Sequence, residues 1–168
     1  MAQDPAATPQ PTPLTAPPPL HTIPREEKSQ IEAASDIKQR LKLSIEFADE
    51  HLSSAERLTA QNNYEAASHE VGTYYALIKN SLTELAALKR DSNKTRDLYK
   101  RLELSLRADG PRLTQMRRIT PIEFAVWIKE VEDFARESRT EALNSFYGHT
   151  VVRDSAKPEE KPNDKPNP

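Results

Sequence analysis

Four histidines, His21, His51, His69 and His149, are the residues of this chain best suited to bind a metal or carry a proton near neutral pH. A di-iron or di-manganese centre in a helical bundle draws on two Glu-x-x-His pairs with further glutamates facing inward. Here the residues three places earlier are Pro18, Ala48, Ala66 and Phe146, so that spacing is absent. His51 and His69 fall on two predicted helices near their shared turn, with Glu65 four residues before His69, and read as an exposed polar pair. Met116 and His149 do not supply the opposed ligands that haem in a bundle requires. The sequence therefore predicts no metal and no other cofactor.

Nucleophilic and phosphate chemistry find little purchase. The chain has no cysteine, which removes thiolate nucleophiles, thiolate metal sites and disulfides. Its three glycines, Gly72, Gly110 and Gly148, are too scattered to build a phosphate-binding loop, and no serine stands in a nucleophile elbow. Acid pairs such as Glu46 with Glu50, and Glu130 with Asp133, sit at the spacing of a solvated helix face. No catalytic residue is assigned.

Charge is more informative locally than globally. The chain carries 24 basic and 26 acidic residues, a net charge of −2. Between Lys89 and Arg118, however, there are ten basic residues against four acidic ones, flanked by segments with an acidic excess. One reading is self-complementation, the basic helix packing between acidic ones. The other is a surface for an acidic protein partner, made by Lys100, Arg101, Arg107, Arg112, Arg117 and Arg118. Tyr99 is the only aromatic residue in that stretch, so there is no stacking platform and nucleic acid is not favoured. Gly72 interrupts a helix beside Tyr74 and Tyr75, which signals a close approach by a neighbouring helix. Together with Trp127 these two tyrosines mark a candidate apolar pocket, the alternative being aromatic core.

The elements that position these residues follow from proline placement and apolar period. Of 14 prolines only Pro111 and Pro121 lie between 26 and 150. Residues 1–25 read as a disordered, polyproline-biased arm and 151–168 as a disordered charged tail, leaving a helical domain over 26–150. Ile31, Ala34, Ile37, Leu41, Ile45, Ala48, Leu52 and Ala55 step at helical spacing and predict one long first helix over 26–61. Asn62-Asn63 ends it, and a second helix runs from Tyr64 to about Lys89. Asp91-Ser92-Asn93 offers caps for a third, which Gly110-Pro111 should kink or split. Thr120-Pro121-Ile122-Glu123 starts a fourth, reaching about 147 with Gly148 as its terminator. The expected fold is all-α, an antiparallel up-down four-helix bundle.

Leu58, Gln61-Asn62-Asn63-Tyr64-Glu65-Ala66-Ala67 and Val71 resemble the turn between the two helices of a tetratricopeptide repeat, with Asn62 where that family has glycine. No 34-residue period accompanies it, so the likeness is confined to the turn. More broadly, Ile37–Leu88 and the ending Ser145–Val151 are similar to a bacterial family of exported helical proteins with no assigned activity. That resemblance implies a periplasmic or secreted location, as does the proline-, threonine- and alanine-rich beginning; a cytoplasmic one is the alternative. No apolar run approaches the roughly 18 residues needed to cross a bilayer. The function expected is non-catalytic: an exported helical domain for protein–protein interaction or envelope scaffolding, as a monomer or small homo-oligomer. The alternatives are a small-ligand-binding or enzymatic bundle and a cytosolic polyanion binder.

Overall fold

A computed structural model describes residues 15–89 and 92–147. Among them are five helices: α1 (Arg25–Ala33), α2 (Ile37–Ala60), α3 (Tyr64–Ala86), α4 (Asn93–Ile119) and α5 (Ile122–Tyr147). The described residues contain no β-sheet, and no helix among them is long and apolar enough to cross a membrane. The expected four-helix count is thus short by one, because the long first helix breaks at Ala34-Ser35-Asp36. Asp36 caps α2, its carboxylate accepting from the Lys38 and Gln39 amides at 2.7 and 3.1 Å. Those hydrogen bonds hold the Asp36 carboxyl below its usual pKa.

The remaining boundaries follow local chemistry. The turn between α2 and α3 is a Schellman motif: Asn62 is left-handed (φ 59°), with its amide bonded to the Thr59 carbonyl and that of Asn63 to Leu58. Asn63 then caps α3 through the Ala66 amide, and Ser92 caps α4 through that of Thr95. Of the kink or split expected at Gly110-Pro111, the split does not occur, since α4 is one helix from Asn93 to Ile119 with Pro111 inside it. Proline clashes with the Cβ of a helical residue before it, and Gly110 has none, so the pair passes within one helix.

Helices α2 and α3 form one antiparallel hairpin, α4 and α5 another. The hairpins meet with like-directed helices side by side. Tyr64 pairs with Phe124 and Tyr75 with Phe134, a nearly constant offset that makes α3 parallel to α5. Lys38 neighbours Lys94, and Glu56 binds Arg112, which makes α2 parallel to α4. The chain therefore passes from α3 to α4 across the diagonal of the bundle, unlike a simple up-down bundle in which consecutive helices are neighbours all round. Leu52, Tyr74, Leu77, Ile78, Leu85, Leu102 and Leu113 fill the centre.

The proline-rich arm is extended as expected but not loose over the part described. Thr15–Pro24 lies along the groove between α3 and α5 and then crosses α3 to reach α1. Residues 1–14 and the tail 151–168, with Gly148, fall outside the described residues.

Candidate functional site

The α3–α5 groove recognises backbone. The Ala16 amide donates to the Glu123 carbonyl at 3.0 Å, and the Trp127 indole Nε1 donates to the Ala16 carbonyl at 2.8 Å. Next come Pro17-Pro18-Pro19, which with Leu20 border a recess shared with Glu65, Ser68, His69 and Phe124. At Gly72 the chain crosses α3. A Cβ there would overlap the Leu20 carbonyl oxygen and lie 3.0 Å from Pro19 Cβ. The close approach signalled by Gly72 is therefore made by an extended strand, not a helix. His21 then stacks on Tyr75 with ring centroids 4.0 Å apart, and Tyr75 meets Phe134 at 4.2 Å.

The three residues of the candidate apolar pocket thus do not surround an open cavity. Tyr75 and Trp127 are covered by the strand. Tyr74 is fully buried, and its hydroxyl reaches across the diagonal to donate to Asp109 Oδ2 at 3.0 Å. Burial raises the Asp109 carboxyl to about 6, against the opposing pull of Tyr74 and Arg112. Burial and the facing Asp109 likewise push the Tyr74 phenol well above its ordinary value.

Of the six cations proposed as a partner surface, two serve the bundle itself. Arg112 fastens α4 to α2 through Glu56 (Nη2 to Oε2, 2.7 Å), Asp49 (2.6 Å) and the Ser53 hydroxyl (2.8 Å). Those bonds raise its pKa further, the Glu56 hydrogen bond first. Arg117 donates from Nε to Glu132 on α5 at 2.7 Å. Burial would raise the pKa of Glu132, but Thr114 at 2.7 Å and Arg117 outweigh it and hold the carboxyl low. Self-complementation accounts for these two arginines. Arg107 borders a shallow recess between α4 and α5, and Arg118 is exposed near the end of α4.

Lys100 and Arg101 remain turned outward and join two cations that sequence reasoning missed. Lys38, at the start of α2, and Lys94, in the first turn of α4, line with them a cleft of about 670 Å³. Leu98 and Leu104 form its apolar floor and rim, and Asp97 is its one acidic residue. None of these four cations forms an ion pair among the described residues, and Leu104 is 51% exposed. Lys38 could not be foreseen because the parallel pairing of α2 with α4 brings it there. Lys100 Nζ also lies 5.7 Å from the Phe146 ring centroid.

His51 is not an exposed polar residue as the spacing had suggested. It is half-buried, with Nδ1 2.5 Å from Glu70 Oε2 and Nε2 2.9 Å from Glu27 Oε1, so it ties together α1, α2 and α3. Burial disfavours the imidazolium, but the Glu70 and Glu27 carboxylates outweigh it and the pKa is raised. His69 lies apart in the proline-lined recess. His149 is outside the described residues. No protein-family model, curated protein or solved structure matches this chain.

Proposed function

We propose that this chain is a non-catalytic helical interaction domain that docks an acidic protein segment on the cleft between α2 and α4. The observation that supports this reading is the set of unpaired cations, Lys38, Lys94, Lys100 and Arg101, around the exposed Leu104. Arg112 and Arg117 on the same helix are neutralised by carboxylates of α2 and α5, whereas these four form no ion pair among the described residues. An amphipathic segment with carboxylates flanking leucine-sized side chains matches both the charge and the apolar floor, and opposite charge would speed its encounter. The proposal extends to an extracytoplasmic setting on the proline-, threonine- and alanine-rich composition of the arm. Fractionation of the product of the native gene tests that part.

A fluorescent acidic amphipathic peptide, rich in Leu and Glu, tests the docking surface by anisotropy. Saturable binding is expected that weakens with salt and falls at least about tenfold in Lys100→Glu/Arg101→Glu, equivalent to ~1.4 kcal/mol. Polyglutamate without leucine should bind much more weakly. Equal binding of polyglutamate would favour a general polyanion site, and binding unaffected by the double charge reversal would sink the surface assignment.

A further inference from the structure

Residues 15–33, the docked strand followed by α1, are joined covalently to the bundle through Ala34-Ser35-Asp36. That junction contains neither glycine nor proline, and Ile31, Ala34, Ile37 and Leu41 carry the helical apolar period straight through it. Its bend lies at Ala34 (φ −66°, ψ 130°) and Asp36 (φ −133°, ψ 155°), and a helix can pass through either residue at a cost of well under about 1 kcal/mol each. The bent form is held by the Asp36 cap, by Arg40 Nε donating to the Ala34 carbonyl at 3.1 Å, and by what α1 and the strand touch. A straight form would replace the cap with ordinary backbone bonds between α1 and α2. The same side chains thus suit two geometries.

The direction of α1 decides where a straightened chain would go. Glu27 meets His51 midway along α2, while Ala34 meets Arg40 near its start, so α1 runs antiparallel to α2. Straightening removes residues 15–33 from their own groove and extends them beyond the first turn of α2. A second copy, turned end to end about a two-fold axis, presents its own α2 antiparallel to that extension, in the orientation that α1 requires. We propose that two copies exchange residues 15–33, α1 and α2 joining into one helix across 34–36, with each strand seated between α3 and α5 of the other copy.

The exchange creates no new chemistry at the groove. Trp127 donates to the Ala16 carbonyl of the other chain, Gly72 admits its Leu20 carbonyl, and Tyr75 stacks on its His21. Every contact that seats the strand within one chain is remade between two, so the proportion of exchanged dimer is governed by the junction and by protein concentration.

Two substitutions at the junction push in opposite directions. Ser35→Pro favours the bend over a continuous helix, since Ala34 already has the extended conformation preferred before proline and an interior proline breaks a helix. Asp36→Ala removes the cap that holds the bend. In sedimentation velocity on the full chain, a concentration-dependent dimer is expected, enriched in Asp36→Ala. In Ser35→Pro its association constant should fall by on the order of ten-thousandfold, about a hundredfold at each of the two junctions, with circular dichroism unchanged. Because the chain has no cysteine, Leu20→Cys and His69→Cys, which line one recess, can be introduced on separate copies. After the two are refolded together, a short bismaleimide should link unlike chains. Monomer alone in both wild type and Asp36→Ala would overturn the proposal. So would a dimer indifferent to Ser35→Pro, or one without the cross-chain adduct.

Discussion

Replacing Gly72 with alanine separates two opposite expectations for one methyl group. In the interior of an unencumbered helix, alanine is favoured over glycine by ~1 kcal/mol. At Gly72 the new Cβ would overlap the Leu20 carbonyl oxygen and press on Pro19 Cβ at 3.0 Å, and α3 is too well packed to retreat. The strand must lift. It then loses the Trp127–Ala16 and Ala16–Glu123 hydrogen bonds, about 1 kcal/mol each, and the His21–Tyr75 ring pair, about 1 kcal/mol. Set against the helical gain, the loss is at most about 2 kcal/mol, because the released residues recover backbone entropy. Trp127 is the only tryptophan and reports directly on strand release. Gly72→Ala should redden its emission, open residues 15–25 to proteolysis and lower the urea midpoint. An unchanged emission spectrum with a stability gain of about 1 kcal/mol would refute the seating of the strand at Gly72.

Two titrations should be separable in pH. Asp109, raised from 3.8 to about 6, binds its proton more tightly in the folded chain, so stability falls as pH rises between those values and is level above. Asp109→Asn should therefore stabilise the protein at pH 8 by up to about 3 kcal/mol and have little effect near pH 4, as read from urea unfolding. His51, also raised, contributes stability that is complete below 6.5 and lost as pH climbs through its folded value. His51→Gln should abolish the decline above pH 6.5 and leave the Asp109 decline in place; a persistent upper decline would exclude the Glu27–His51–Glu70 contact as its source.

What the sequence disclosed was local. Asn62-Asn63, Ser92 and Pro121-Ile122 mark where helices stop and start because capping and left-handed turns are decided by a few adjacent residues. The break at Ala34-Ser35-Asp36 carried the same kind of signal, Asp36 followed three residues later by Gln39, but the apolar period running through it masked the cap, and the folding of α1 back on α2 is a tertiary choice. Gly110 and Pro111 each signal a break when read singly, but the missing Cβ of one accommodates the ring of the other. The basic segment was visible as a count of charges. Its division between Arg112 and Arg117, which brace the bundle, and Lys100 and Arg101, which do not, depends on the neighbours that α2 and α5 supply. The strand left a trace in Gly72 and Trp127, two residues ill-suited to an ordinary helix pair, although their common partner lay in a segment that composition marks as free.

The diagonal passage from α3 to α4 has a kinetic consequence. Each hairpin closes through a short turn and can form from contacts between residues near in sequence, on the fast side of the folding spectrum. Pairing α2 with α4 is another matter: Glu56 and Arg112 are separated by 56 residues, and their meeting requires both hairpins to be largely in place. Docking of the two hairpins is therefore the step that sets the refolding rate. A substitution confined to the Asn62-Asn63 turn should slow folding more than it accelerates unfolding, because the turn is already formed when the hairpins dock, whereas one at the seam between hairpins should accelerate unfolding more.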